Sequence, residues 1–250
     1  MSERSPVERA FQFVVEHGDA LAVARARALV NAAVNHEVLS LLGEAPDGTQ
    51  LLACERILWL CMDAQLLTSP LARSVGGVLA RAQGDDGAWH PPGASADEVL
   101  RCTGMLAGCL ARSPFARPET LEAAGDFLAA DWDPDRVSNG RLADLRAHAL
   151  FFANTLHERA DEVLQWCGRE LERGFRTRAF DAVQTTRVLV DSDAHSLPGA
   201  SFIPGELLVA LLTEQAQDGS FGGAEDPDER VEPTLDGLHA LRRFQPASAR

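Results

Sequence analysis

The sequence predicts an all-helical protein. Apolar residues recur at helical spacing, as in Leu51, Leu52, Ile57, Leu58 and Leu60 or Val99, Leu100, Met105 and Leu106. Strand-type alternation is nearly absent, and breaks fall at Gly, Pro and Asp clusters, which supply turn geometry or cannot continue a helix. At 250 residues, 46% hydrophobic and 24% charged, the chain has an ordinary globular composition and can bury a substantial core.

Taken in order, the breaks predict helices over 5–17, 20–33, 35–43, 49–66, 70–83, 95–112, 118–130, 140–156, 160–174, 177–191, 204–217 and 232–244. The stretches 70–83, 160–174 and 204–217 are amphipathic with charged faces, as an outer layer requires. The stretches 49–66, 95–112 and 140–156 are more uniformly apolar, as an inner layer requires. Six outer and six inner helices would close a ring. No Ser/Gly-rich linker or shift in composition divides the chain, so residues 1–250 read as a single domain.

A net charge of −14 argues against a nucleic-acid partner, because phosphate binding needs clustered positive charge. Every basic residue is Arg, with no Lys and no Tyr, a bias expected of a GC-rich bacterial gene. The charged start MSERSPVERA lacks the apolar stretch of a secretory signal. No run reaches the ~18 apolar residues of a spanning helix. The five cysteines, Cys54, Cys61, Cys102, Cys109 and Cys167, lie in apolar helical stretches without a CxxC pair. They read as buried thiols of a cytoplasmic protein.

Two segments repeat. Gln83-Gly84-Asp85-Asp86-Gly87-Ala88-Trp89 and Gln215-Ala216-Gln217-Asp218-Gly219-Ser220-Phe221 share the pattern Gln-x3-Gly-x-aromatic, each after an amphipathic helix. The Asp-Gly step suits a tight turn, the Gln can bond exposed backbone at the helix end, and the ring can pack over the turn. The pattern resembles the Gln-Trp repeat of squalene-hopene and related terpenoid cyclases, and the turns of protein prenyltransferase β subunits. Val231-Glu232-Pro233-Thr234-Leu235-Asp236-Gly237-Leu238 resembles the opening of an inner helix in that superfamily. The resemblance implies an (α/α)6 barrel, or toroid, of about twelve helices.

Cyclases of that superfamily that start by protonation carry an Asp-x-Asp-Asp motif at the opening of an inner helix, where a carboxyl is held neutral until use. Ser95-Ala96-Asp97-Glu98-Val99 falls at the corresponding point, with Asp97 at the proton-donating position, Glu98 at the last acid and Ser95 in place of the first Asp. Asp181 occupies the analogous point on another inner helix. Ser95 and Glu98 also form a capping box, and acids favour the first helical turn for that reason alone. Asp191-Ser192-Asp193 follows an inner-type helix rather than preceding one, and reads as a solvated helix end.

The zinc ligands of the prenyltransferases are missing: no Cys lies two residues after an Asp, and Pro233 stands where the His would be. The reading is therefore acid chemistry without a cofactor or metal. Arg101, Arg146 and Arg187 are inner-helix cations that could hold a diphosphate or pair with carboxylates, but no basic cluster is evident. Trp59, Trp89, Phe151 and Phe180, on or beside inner helices, are candidates to face a substrate; His148 and His239 recur in matching contexts and could tune an acid. Each of these six is also an ordinary core residue type. The acidic loop Asp131-Trp132-Asp133-Pro134-Asp135 is either a turn or a Mg²⁺ site.

The expected function is a terpenoid-cyclase-like enzyme that cyclises or isomerises a hydrophobic isoprenoid or natural-product precursor by acid catalysis. A homodimer or a partner domain would complete the site. The alternative is a non-catalytic barrel that binds a lipid or a protein. A barrel glycosidase ranks last, since aromatics make up 6% of the chain and Tyr is absent.

Overall fold

A computed structural model describes residues 4–130 and 132–245. Among them are twelve α-helices, three short 3-10 turns and no strand. The helices are α1 (Pro6–His17), α2 (Ala20–Val30), α3 (His36–Leu42), α4 (Leu51–Asp63), α5 (Pro70–Ala82), α6 (Ala96–Ala111), α7 (Pro118–Ala130), α8 (Leu142–Ala153), α9 (Ala160–Arg176), α10 (Ala182–Asp191), α11 (Pro204–Glu214) and α12 (Val231–Phe244). The all-helical expectation holds. Among the described residues, no helix is long and apolar enough to cross a membrane.

The local sequence explains the ends. Ser5, Asp19, Ser69, Ser95 and Asp181 each accept a bond from a backbone N–H of the first turn, satisfying donors a helix leaves open. The helix expected over 177–191 begins only at Ala182, because Arg178 at φ 60° leaves the helical region and Asp181 then caps α10. Asn31, extended at φ −140°, likewise ends α2 before the expected residue 33.

Even-numbered helices pack in series, α4 on α6, α6 on α8, α8 on α10, α10 on α12 and α12 on α2, while odd-numbered helices lie against them. The Arg25–Asp63 ion pair, at 3.7 Å, links α2 to α4. The closest approach is α6 to α8: a Cβ at Gly108 would lie 2.4 Å from Leu150 Cγ, so only Gly lets the backbones meet there. Buried residues from all twelve helices and from the connecting loops, among them Leu66, Trp89 and Phe221, merge into one apolar cluster, and all five cysteines lie buried with free thiols. α11 departs from the charged outer face expected of it, because Val209 and Leu212 are exposed.

The repeated turns are superimposable in their bonding. Gln83 Nε2 donates to Gly87 O at 2.8 Å and to Thr120 O of α7 at 2.9 Å. Gln215 Nε2 donates to Gly219 O at 3.0 Å and to Pro6 O of α1 at 2.8 Å. Gly87 (φ 85°) and Gly219 (φ 94°) take the left-handed conformation that the turn needs and L side chains avoid. Trp89 N donates to Thr103 Oγ1 at 3.1 Å, and Phe221 N to Thr234 Oγ1 at 3.0 Å. The first turn therefore grips α7, and the second grips α1, joining the two ends of the chain.

Candidate functional site

Charged side chains from the even helices converge in the middle of the array. α10 contributes Arg187 and Asp191 one turn apart, α4 contributes Asp63 and Trp59, and α12 contributes Asp236 and His239. Arg187 Nη2 donates to Asp63 and to Asp191 at 2.5 Å each, and Nη1 to Asp236 at 3.2 Å. Arg146 Nε of α8 donates to the other oxygen of Asp191 at 2.5 Å. Arg25 of α2 meets Asp63 and, at 2.6 Å, Glu232. The guanidinium carbons of Arg187, Arg25 and Arg146 stand 4.8, 5.2 and 5.5 Å from the centroid of the Trp59 ring. Trp59 thus offers its π-system to protein cations.

The acids in this network differ. Burial opposes ionisation of Asp63, but Arg187, His239 and Arg25 hold its carboxyl below the usual range. Burial raises Asp236 to about 6, with Arg187 opposing and Asp63 reinforcing the shift. Arg187 does not offset the burial fully, because it is shared among three carboxylates and its contact with Asp236 is the longest of them. Burial lowers His239, against the pull of Asp63.

Two pockets open at the N-terminal ends of the even helices. One, of about 420 Å³, lies between α4, α6 and α8 and is lined by Leu52, Glu55, Pro91, Met105 and Arg146. The other, of about 320 Å³, lies between α8, α10 and α12 and is lined by Leu142, Arg146, Val183, Arg187, Pro233 and Asp236. Arg146 belongs to both, so the pockets meet at its guanidinium. Burial also raises Glu55, on the wall of the first. A polar basin at the opposite ends of these helices holds Gln65, Arg112 and His239, with Asp63 at its floor.

No family model matches the chain, and no curated protein or solved structure matches it.

The residues expected from sequence scatter across this arrangement. Asp97 is half-exposed and paired with Arg141 at 2.8 Å and Arg136 at 3.5 Å. Glu98 accepts from Ser95 N and Oγ, both at 2.7 Å, and these bonds hold it below the usual range, the wrong direction for a proton donor. Glu98 edges the first pocket. Asp181 is exposed and accepts from Gln184 N at 2.7 Å; it lines the rim of the second pocket.

Three of the aromatics expected at a substrate pack against the odd-numbered helices α5, α7 and α9. Trp89 is fully buried and its indole donates to Leu79 O of α5 at 3.0 Å. Phe151 packs on Gly125 of α7, and Phe180 on Gly174 of α9. His148 is enclosed between Trp132 and Phe152. Its Nδ1 meets Asp144 O at 2.8 Å, and burial lowers it to about 4. Of the expected aromatics and histidines, Trp59 and His239 belong to the central network, together with the expected cations Arg146 and Arg187. Asp133 accepts from Asp135 N at 2.8 Å, an ordinary turn, while Asp131 lies outside the described residues.

Two readings are corrected outright. Asp191 is wholly buried in the network rather than solvated; the end of α10 is turned inward by Arg187 and Arg146, and only Asp193 is exposed. A basic cluster does exist, made of Arg25, Arg146 and Arg187 around Trp59. Sequence reasoning missed Asp63, Asp236 and Arg25. Their signal was a charge on an otherwise apolar helix face, with Arg187 and Asp191 spaced i,i+4 and Asp236 and His239 spaced i,i+3.

Proposed function

We propose that the chain is a terpenoid-cyclase-like, metal-independent enzyme acting on a small hydrophobic precursor by acid catalysis. In this reading the even helices are the inner ring of an (α/α)6 barrel and the reaction takes place in the mouth at their N-terminal ends. The barrel is supported by the helix series, the Arg25–Asp63 link and the grip of the last turn on α1. Asp236 is the acid, with Glu55 across Arg146 as a second carboxyl that burial pushes towards its neutral form. The observation that carries the reading is Asp236 itself, a carboxyl on the wall of a pocket between three helices, whose one guanidinium partner is bound more tightly by Asp63 and Asp191. A pKa near 6 lets it hold a proton at mildly acidic pH and pass it to a bound substrate. Both pockets are open, and a second copy or a partner domain would cover them.

The test is mass-spectrometric product analysis with linear isoprenoids and their carboxylic acids, alcohols and diphosphates. A cyclised or isomerised product made by wild type and Asp97→Asn but not by Asp236→Asn supports the reading; a product made equally by Asp236→Asn contradicts it. The second reading is a barrel that binds a lipid or a protein without catalysis. It is favoured by the interior itself, where Trp59 and three guanidinium groups occupy the space a large cyclase substrate needs.

A further inference from the structure

A pocket of about 660 Å³, larger than either mouth pocket, shares no lining residue with the mouth or with the polar basin. It lies between α7 and the link from α8 to α9, against Phe151. The link is fastened on both sides of Leu156. Thr155 Oγ1 donates to Phe151 O at 3.0 Å, and His157 packs edge-on to Phe152. Gly125 of α7 lets His157 close down, since a Cβ there would lie 2.8 Å from its Cδ2. Leu156, held between these two anchors, is fully exposed, and with Leu121 and Pro118 it gives the pocket an apolar edge. A lone exposed Leu is ordinary on a surface, but this one borders a cavity.

The charged groups on the wall are all carboxylates, Glu122, Asp126 and Glu158, whereas each mouth pocket and the basin has a guanidinium in its wall. Glu122 and Glu158 have no hydrogen-bond or ion-pair partner among the described residues. Asp126 meets only His157 Nε2, at 3.6 Å, and that ring is neutral here, because its Nδ1 accepts from Arg159 N at 3.1 Å. Of the flanking cations, Arg159 is tied to Glu162 and Ala129 O, and Arg117 is not part of the wall.

We propose that this groove docks a basic peptide segment of a partner protein, with an apolar side chain seated against Leu156 and Leu121 and its Arg or Lys residues set against Glu122, Asp126 and Glu158. Opposite charge selects the partner. Glu122 and Asp126 stand one turn apart on α7 and Glu158 on the facing link, so several basic groups along one chain match them better than a single small cation. A second copy is a poor occupant, because a net charge of −14 sets the two copies against each other. The groove is separate from the mouth, and the docking stands whatever the mouth does.

Calorimetry with a short peptide that alternates Arg with Leu and Phe tests it. Two peptides of the same length run beside it, one with Glu in place of Arg and one with Ser in place of Leu and Phe. The first is expected to bind at least about tenfold tighter than either. Leu156→Ser changes a fully exposed side chain, so the fold is kept, and it is expected to weaken the first peptide about tenfold. The double variant Glu122→Arg, Glu158→Arg is expected to weaken it as much, while Glu225→Arg, an exposed acid elsewhere, changes it little. No binding of the first peptide, equal binding of the acidic one, affinity unchanged by Leu156→Ser or by the double reversal, or spermine bound as tightly as the peptide overturns the proposal. A dimer in sedimentation that Leu156→Ser dissolves overturns it too, since a second copy would then cover the groove.

Discussion

Arg187 reaches Asp236 across 3.2 Å, yet its shorter bonds go to Asp63 and Asp191 at 2.5 Å. One guanidinium thus serves three carboxylates from three helices. Removing it leaves Asp63 with no guanidinium nearer than Arg25 at 3.7 Å, and Asp191 with Arg146 alone. Arg187→Met is expected to destabilise the protein by about 3–5 kcal/mol, read by urea unfolding. A loss under about 1 kcal/mol would mean the network is solvated.

Asp236 makes the opposite prediction. Its pKa is raised on folding, so the folded chain holds a proton that the unfolded chain has released. Its contribution to stability is full below the ordinary carboxylate range and is lost as pH rises through about 6. Asp236→Asn is expected to be more stable than wild type at pH 7.5, by about 1 kcal/mol, and level with it near pH 4. Thermal melts at the two pH values decide.

For the α6–α8 contact, Gly108→Ala would place a methyl 2.4 Å from Leu150 Cγ and 3.0 Å from the backbone of Phe151. A cost of about 1–3 kcal/mol is expected in chemical denaturation, the range for overpacking. An unchanged midpoint would show that the two helices are farther apart than described.

The repeated Gln predicts a matched pair of effects. Gln83→Ala and Gln215→Ala each remove two bonds to backbone carbonyls, one within the turn and one to the next helix. Each is expected to cost about 1–3 kcal/mol. Hydrogen exchange should quicken in α7 for the first and in α1 for the second. Exchange faster in the same helix for both variants would break the equivalence of the turns.

The fold was legible because helix period and break residues are local: Ser5, Ser69 and Ser95 cap their helices, and the Asp-Gly steps turn the chain. The repeat was legible for the same reason, since Gln83 and Gly87 bond within four residues. The site was not. The motif position of Asp97 and Glu98 suggests chemistry and the Ser95–Glu98 spacing a capping box; the capping box forms, while the partner of Asp97, Arg141, is 44 residues away in sequence. Asp63 and Asp236 gain their meaning from Arg187, which is 124 and 49 residues away in sequence. Periodicity cannot say which face of an apolar helix a lone charge occupies. Trp89 and Phe180 show the same limit: each lies in the turn before an even-numbered helix, and its ring packs on the preceding odd-numbered one.

The most direct measurement is a carboxyl ¹³C NMR titration of wild type and Asp236→Asn. The account predicts one resonance that titrates near pH 6 and is missing from the variant. If Asp236 instead titrates in the ordinary range of about 4, it is charged at every pH of interest and is no acid for this mouth.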